Sequence, residues 1–432
     1  MMVLGNLASS IAVASVGATG TIISLLVNTF IGLSGGTQVV LAQACGEHNR
    51  TKINRCVNTA LITSVVLGIL LMFLGLICSD WFLTLTNCPA DCFDGASVYM
   101  KIYFLGVPFV IVYNYGASII RVSGDSQRPL YYLIASGLLN VVLNLILCLT
   151  MKDKVAAVAI ATVASQLLGA ALVIYRLITV DNDCRFNIKK LSFDYLSFKK
   201  MLLIGIPCAL NSSLYSISNL QIQSAINSFG SPATAGNIAA TNFEGIVSSF
   251  TSAVGTTTLT FAGQNIGAKK PERLKKILLT GSILGCTVGF VFGYGFLFSA
   301  KPLLSLFVGN DAAAIHCGYL RMRALMTLYF VAGTSGAFGA VLQAFGYSII
   351  PMFNSIFSVL ILRVIWMSFI YPLNPTLETV YTCYMFSWSL NFIMVGVALL
   401  IILPKKLREM YRDQRIANAL AEKNMLFEHI EE

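Results

Sequence analysis

VASVGATGTIISLLVNTFIGLSGGTQVVLAQACGEHNRTKINR, residues 13–55, lies without a gap on TAGNIAATNFEGIVSSFTSAVGTTTLTFAGQNIGAKKPERLKK, residues 234–276, at an offset of 221. Thr37/Thr258, Gln43/Gln264 and Gly46/Gly267 match, and just outside the window so do Asn6/Asn227, Thr59/Thr280 and Gly68/Gly289. Tyr99/Tyr319, Gly124/Gly346 and Pro129/Pro351 continue the register at offsets of 220 to 222. The chain is therefore a duplicated fold of two halves. The same register exposes a gap. Residues 200–221 form an apolar helix whose counterpart in the first half would fall before Met1.

Hydrophobic residues make up 56% of the 432 and charged residues 11%, against about 25% charged in a soluble protein. Apolar runs near the ~20 residues that cross a bilayer as a helix cover 15–45, 56–78, 98–121, 129–151, 155–178, 200–224, 233–262, 274–298, 316–342, 348–371 and 377–403. They are too long and too little alternating for barrel strands, so each is a helix. The expected fold class is an all-α polytopic membrane protein of two homologous bundles, with eleven spans of a twelve-helix pattern. Residues 1–178 form an N-lobe of five helices, 179–199 a polar linker, 200–404 a C-lobe of six, and 405–432 an amphipathic or solvated tail. Duplicated helical bundles in a membrane are a transporter pattern.

The net charge of +10 reads as topology rather than nucleic-acid binding. Basic residues gather in alternate loops, as at Arg50, Lys52 and Arg55, then Lys269, Lys270 and Arg273, then Lys405, Lys406 and Arg408. That distribution puts these loops and the C-terminus in the cytoplasm, with the protein in the plasma membrane. Lys301, Arg321 and Arg323 are exceptions, in or near an outer loop. Cys88 and Cys92 share another outer loop, as a disulfide or as free thiols. No phosphate-binding loop, zinc motif or nucleophile elbow is present, and no His, Asp or Glu cluster points to an enzyme, a metal or a cofactor.

The informative chemistry is polar groups inside helices, each of which needs a partner or a wet cavity. Asn140 and Asn144 share one face (i, i+4), and so do Thr162 and Gln166 on the next helix. With Asn114 these form a candidate polar or cation site in the N-lobe, or interhelical glue. Asn237, Thr241, Glu244, Ser248 and Thr251 form one continuous stripe. Glu244 is the sole acid well inside a predicted span, which marks a binding or coupling position, and Arg363 is its expected counter-charge. Asn211, Tyr215 and Asn219 share a further face, with Gln221 beside them. Gln43 and Gln264 read as caps or cytoplasmic gate contacts. Tyr113, Tyr215 and Phe243 are candidates to stack on a bound cation.

Val16-Gly17-Ala18, Gly32-Leu33-Ser34-Gly35-Gly36, Ala42-Gln43, Val112-Tyr113-Asn114, Arg121–Asp125, Asn140–Asn144, Ala159–Gln166, Gly205-Ile206-Pro207 and Asn219–Gly230 together resemble the multidrug and toxic compound extrusion (MATE) transporters, nearest the DinF-like branch. The resemblance covers nearly all of 1–404. It implies two six-helix bundles around a central cavity, and export of organic cations or other amphipathic compounds in exchange for H⁺ or Na⁺ by alternating access, with these small molecules and the bilayer as the expected partners of a monomeric chain. It also implies an N-lobe network in which Asn140 matches an Asn and Thr162 a Thr. Asn144 stands where the family has Asp, and the first-helix aspartate would precede Met1, a place that maps in the repeat to Gln221. The expectation is a start upstream of Met1. The alternatives are a lipid-linked saccharide flippase of the same superfamily, or an inactive product truncated at its N-terminus.

Overall fold

The computed structural model describes residues 10–86, 88–187 and 191–431, with the side chains of all but 10–14, 18, 21 and 417–431. These residues form helices almost throughout and hold no strand. In chain order they are α1 (Ser10–Gly46), α2 (Arg50–Leu85), α3 (Ala90–Val122), α4 (Gln127–Thr150), α5 (Lys154–Thr179), α6 (Tyr195–Asn227), α7 (Ser231–Gly267), α8 (Pro271–Phe298), α9 (Ala300–Val308), α10 (Ala312–Met326), α11 (Tyr329–Ala344), α12 (Ile349–Leu373) and α13 (Leu377–Glu431).

Among the described residues, nine helices are long and apolar enough to cross a membrane, or ten if α10 and α11, bent by 43°, are one span. The eleventh expected span, 233–262, lies within α7. It is a helix of 37 residues, but its polar stripe makes it too hydrophilic to count as a crossing by composition. Local chemistry sets the helix boundaries. Asn49 accepts from Lys52 N at 3.0 Å to start α2, and Asp153 accepts from Val155 N and Ala156 N to start α5. Asp311 does the same for α10. Each side chain satisfies N–H groups that the first turn leaves orphaned.

The duplication is visible in the backbone. Helices α1 and α7 are both 37 residues long and are displaced by 221 positions at both ends. Each ends in a turn with a non-glycine residue in the left-handed region, His48 and Lys269, both at φ 52°. Gly124 (φ 96°) and Gly346 (φ 87°) hold matching turns, a conformation cheap only for glycine. The matched pair Gly68 and Gly289 each seat one helix against another. A Cβ would lie 2.7 Å from Pro108 Cα at Gly68 and 2.4 Å from the Tyr329 carbonyl at Gly289. The match at Asn6 lies outside the described residues.

By internal contact the residues form two compact units, one through Ser213 and one from Leu214. In the first, α3 packs on α1, α2 and α5, and α4 packs on α5. In the second, α7 packs on α8, α10 and α11. The outward faces are apolar: Leu138, Val141, Val142 and Leu149 of α4 are exposed, which suits lipid rather than water. The polar stretch 179–199, of which 188–190 lie outside the described residues, is tied to the start of α2. Arg50 pairs with Asp183 at 3.0 Å, and Thr59 Oγ1 accepts from Asp194 N at 2.9 Å. The C-terminal stretch continues α13 as helix through Glu431, and the side chains of Leu420 and Leu426 lie outside the described residues. Cys88 and Cys92 are free thiols.

Candidate functional site

In the first unit, the i, i+4 spacing on α4 and α5 turns amides and hydroxyls toward one another. Asn140 Nδ2 donates to Thr162 Oγ1 at 3.5 Å and to Ser165 Oγ at 3.4 Å. These groups border a cavity of about 560 Å³ lined by α1, α3, α4 and α5. Asn114, Asn140, Thr162 and Gln166 all line it, together with Tyr103, Tyr113 and the aliphatic Val27, Ile31 and Val110. Among the described residues, no charged side chain lines it. The fifth expected residue, Asn144, stands behind the wall. Its Nδ2 donates to Asn140 O at 2.8 Å and to Asn140 Oδ1 at 3.0 Å, so it fixes the orientation of Asn140. Gln166 lies across Gly106, where a Cβ would come within 2.3 Å of its Oε1. That oxygen and Asn144 Oδ1 are buried and have no hydrogen-bond partner among the described residues. Desolvated acceptors of this kind cost about 1–3 kcal/mol each until a donor or a cation meets them.

The second unit carries the charges, and here one expectation is corrected. The counter-charge of Glu244 is Arg321, not Arg363. Arg321 Nε donates to Glu244 Oε2 at 3.1 Å, and Nη2 reaches the same oxygen. Its Nη1 donates to Asn237 Oδ1 at 2.8 Å. Asn237 in turn donates to Gln223 Oε1 at 2.8 Å, and Tyr381 OH donates to Asn237 Oδ1 at 3.3 Å. The sequence reading set Arg321 aside with Arg323 as loop charge. Two residues apart on a helix, they face opposite ways. Arg323 is exposed and pairs with Glu378, whereas Arg321 turns inward, 6% exposed.

Arg363 forms a separate cluster. Its Nε donates to Ser387 Oγ at 3.1 Å, and its Nη1 to Ser218 Oγ at 3.2 Å and Asn219 Oδ1 at 2.9 Å. The guanidinium lies 4.2 Å from the centre of the Tyr384 ring, and Arg321 lies 5.4 Å from the same ring. Tyr384 thus joins the two clusters, and its hydroxyl donates to Asn219 Oδ1 at 3.3 Å. Gln221 is exposed on α6 and takes no part in either cluster. Asn211, expected with them, falls in the first compact unit, and its Oδ1 is buried without a hydrogen bond among the described residues. Of the three aromatics proposed to stack on a ligand, Tyr113 lines the first-unit cavity, Tyr215 accepts from Asn391 Nδ2 at 2.8 Å, and Phe243 is core, packed on Phe296 and Phe307. The backbone carbonyls of Gln43 and Gln264 close the last turns of α1 and α7 in the same way, accepting from Glu47 N and Ala268 N.

A duplicated all-α membrane fold with polar and ionic groups gathered inside each unit defines a polytopic membrane transporter. The MatE family model matches residues 1–146 and 207–368, and the chain belongs to that family. It is 28% identical over 368 residues to a probable multidrug resistance protein, YoeA, of Bacillus subtilis, covering 83% of this chain and 79% of that one. It is 23% identical over 304 residues to an FAD transporter of Shewanella oneidensis, covering 68% and 66%. The fold is shared with a MOP superfamily transporter from Pyrococcus furiosus, with a TM-score of 0.84 at 19% identity over 95% of this chain and 91% of that chain.

Proposed function

We propose that the protein exports amphipathic organic compounds, drugs among them, in exchange for H⁺ or Na⁺, by alternating access. The observation that carries this reading is the uncharged first-unit cavity of about 560 Å³. An apolar wall broken by a few amides and hydroxyls suits a ring system with a polar edge. The tyrosine faces and the open acceptor of Gln166 suit a diffuse positive charge better than a compact one. Flipping a lipid-linked sugar would call for basic side chains along the wall, and the lining residues include none.

The drive is assigned to Glu244. A proton or Na⁺ arriving there must compete with Arg321, so ion binding and the Arg321–Glu244 pair exclude one another. That makes the pair a two-state element which an ion gradient can bias. The basic loops and the C-terminus face the cytoplasm in this reading, and the chain works as a monomer in the cytoplasmic membrane.

The test is efflux of several cationic dyes from reconstituted vesicles, with pH and Na⁺ gradients imposed one at a time. Efflux driven by one gradient is the expected result. Efflux of every dye that ignores both gradients would end the antiport reading.

A further inference from the structure

Arg363 is 1% exposed in the middle of a membrane-spanning helix. Unlike Arg321, it has no carboxylate within 4 Å among the described residues. Its acceptors are neutral, and their protons are already committed. Ser218 Oγ donates to Val359 O at 3.0 Å, and Ser387 Oγ donates to Ser358 O at 2.8 Å. Both hydroxyls therefore offer only lone pairs to the guanidinium. Nε and Nη1 make all three of its hydrogen bonds, and Nη2 makes none among the described residues. Buried polar atoms without partners among the described residues lie on the same two helices, Asn354 Nδ2 on α12 and Asn391 Oδ1 on α13. The backbone around Arg363 is also unusual. The turn Leu362–Ile365 is flanked by π-helical segments at Ile356–Ile361 and Trp366–Ile370, a rare form that is frequent at functional sites.

A buried cation that meets only neutral acceptors is poorly compensated, and an intramembrane ionisable group is by default a functional one. We propose that Arg363 is the subsite for an oxyanion, a carboxylate or a phosphate, carried by the exported compound. This deepens the exporter reading and rests on it. The oxyanion takes the free Nη2 and replaces Asn219 Oδ1 on Nη1, giving the planar fork the two-pronged partner it matches best. Asn219 is the group that can yield. It is more than one-third exposed, and once released from Arg363 its oxygen keeps the Tyr384 hydroxyl. The exported class is then an amphipathic ring system with an acidic substituent.

The experiment measures binding of two matched probe pairs to the purified full chain. One pair is rhodamine 6G, an ethyl ester, and rhodamine 19, its free acid. The other is riboflavin and its 5′-phosphate. The wild type should bind the acidic member of at least one pair about tenfold more tightly, the size of one charge-assisted hydrogen bond. The pair that shows the preference distinguishes carboxylate from phosphate. Arg363→Gln should bring that ratio close to one, and Arg363→Lys should keep part of it. Asn219→Asp supplies an internal carboxylate without changing side-chain size, so it should also erase the preference, in a chain that folds with its buried charge matched. No preference in the wild type, or a preference that survives Arg363→Gln or Asn219→Asp, overturns the subsite. Dye retained in vesicles despite a normal binding preference counts against the exporter reading alone.

Discussion

Helices α1 and α7 are two copies of one pattern, and they differ most where chemistry is done. Asn237, Thr241, Glu244, Ser248 and Thr251 of α7 stand at the positions that Val16, Gly20, Ile23, Val27 and Phe30 hold in α1. The turn that ends each helix kept its left-handed residue, whereas the stripe did not keep its polarity. The first unit has an uncharged cavity, with Val27 in its wall. The second has Glu244 locked on Arg321. Duplication preserved the backbone devices that shape the bundle and left the inward faces free to diverge. The uncharged seat is accordingly assigned to the first unit, and the charged groups, Glu244 for the ion and Arg363 for an oxyanion, to the second.

The largest expected effect breaks the charged side of this comparison. Glu244→Gln or Arg321→Gln alone leaves one buried charge unmatched, at a cost of about 3–5 kcal/mol. The double substitution should recover much of that loss. Denaturation of the purified chain checks this, and single losses that simply add would mean the pair carries no coupling. In the first unit, Gly106→Ala pushes a methyl group into Gln166, an overpacking worth about 1–3 kcal/mol. It should also weaken dye binding, while Gly20→Ala, with open space around its Cβ, should be neutral or stabilising. Equal effects of the two would show that Gln166 is not held where it stands.

Asn140→Ala removes long hydrogen bonds and the acceptor for Asn144, a loss of about 1 kcal/mol that should appear as weaker dye affinity with the second unit's ion response intact. The smallest effect lies outside the membrane. The Ser197 hydroxyl and then its backbone N–H hold the Asp194 carboxyl below its ordinary range. A depressed carboxyl stabilises the fold at pH above its unfolded value, and that contribution disappears as pH falls through the folded value. Asp194→Ala should therefore cost about 0.5–1 kcal/mol near neutral pH, the low end for losing an exposed cap, and flatten the acid limb of a stability–pH profile. An unchanged limb would show that this cap does not titrate.

The sequence made the fold legible because apolar length is a strong signal and the repeat was in register over 43 residues. The i, i+4 amides were legible for the same geometric reason, and Asn140 does meet Thr162. Arg321 was missed because its neighbour Arg323 made the window look like a loop, although the two point to opposite sides. A finer sign was available: the expected span 316–342 contains both arginines, and two residues apart on a helix they cannot share a face. The first π-helical segment of α12 left no sequence mark, since it lies where Ser218 and Ser387 take up the carbonyls of Val359 and Ser358 across helices. Tertiary hydrogen bonding of that kind has no local pattern.

The most direct test of the divided account is uphill dye efflux from vesicles carrying either the wild type or Glu244→Gln. With a single pH or Na⁺ gradient imposed, the wild type should expel dye against its own gradient and Glu244→Gln should not. Uphill efflux by Glu244→Gln at the wild-type rate would contradict the account.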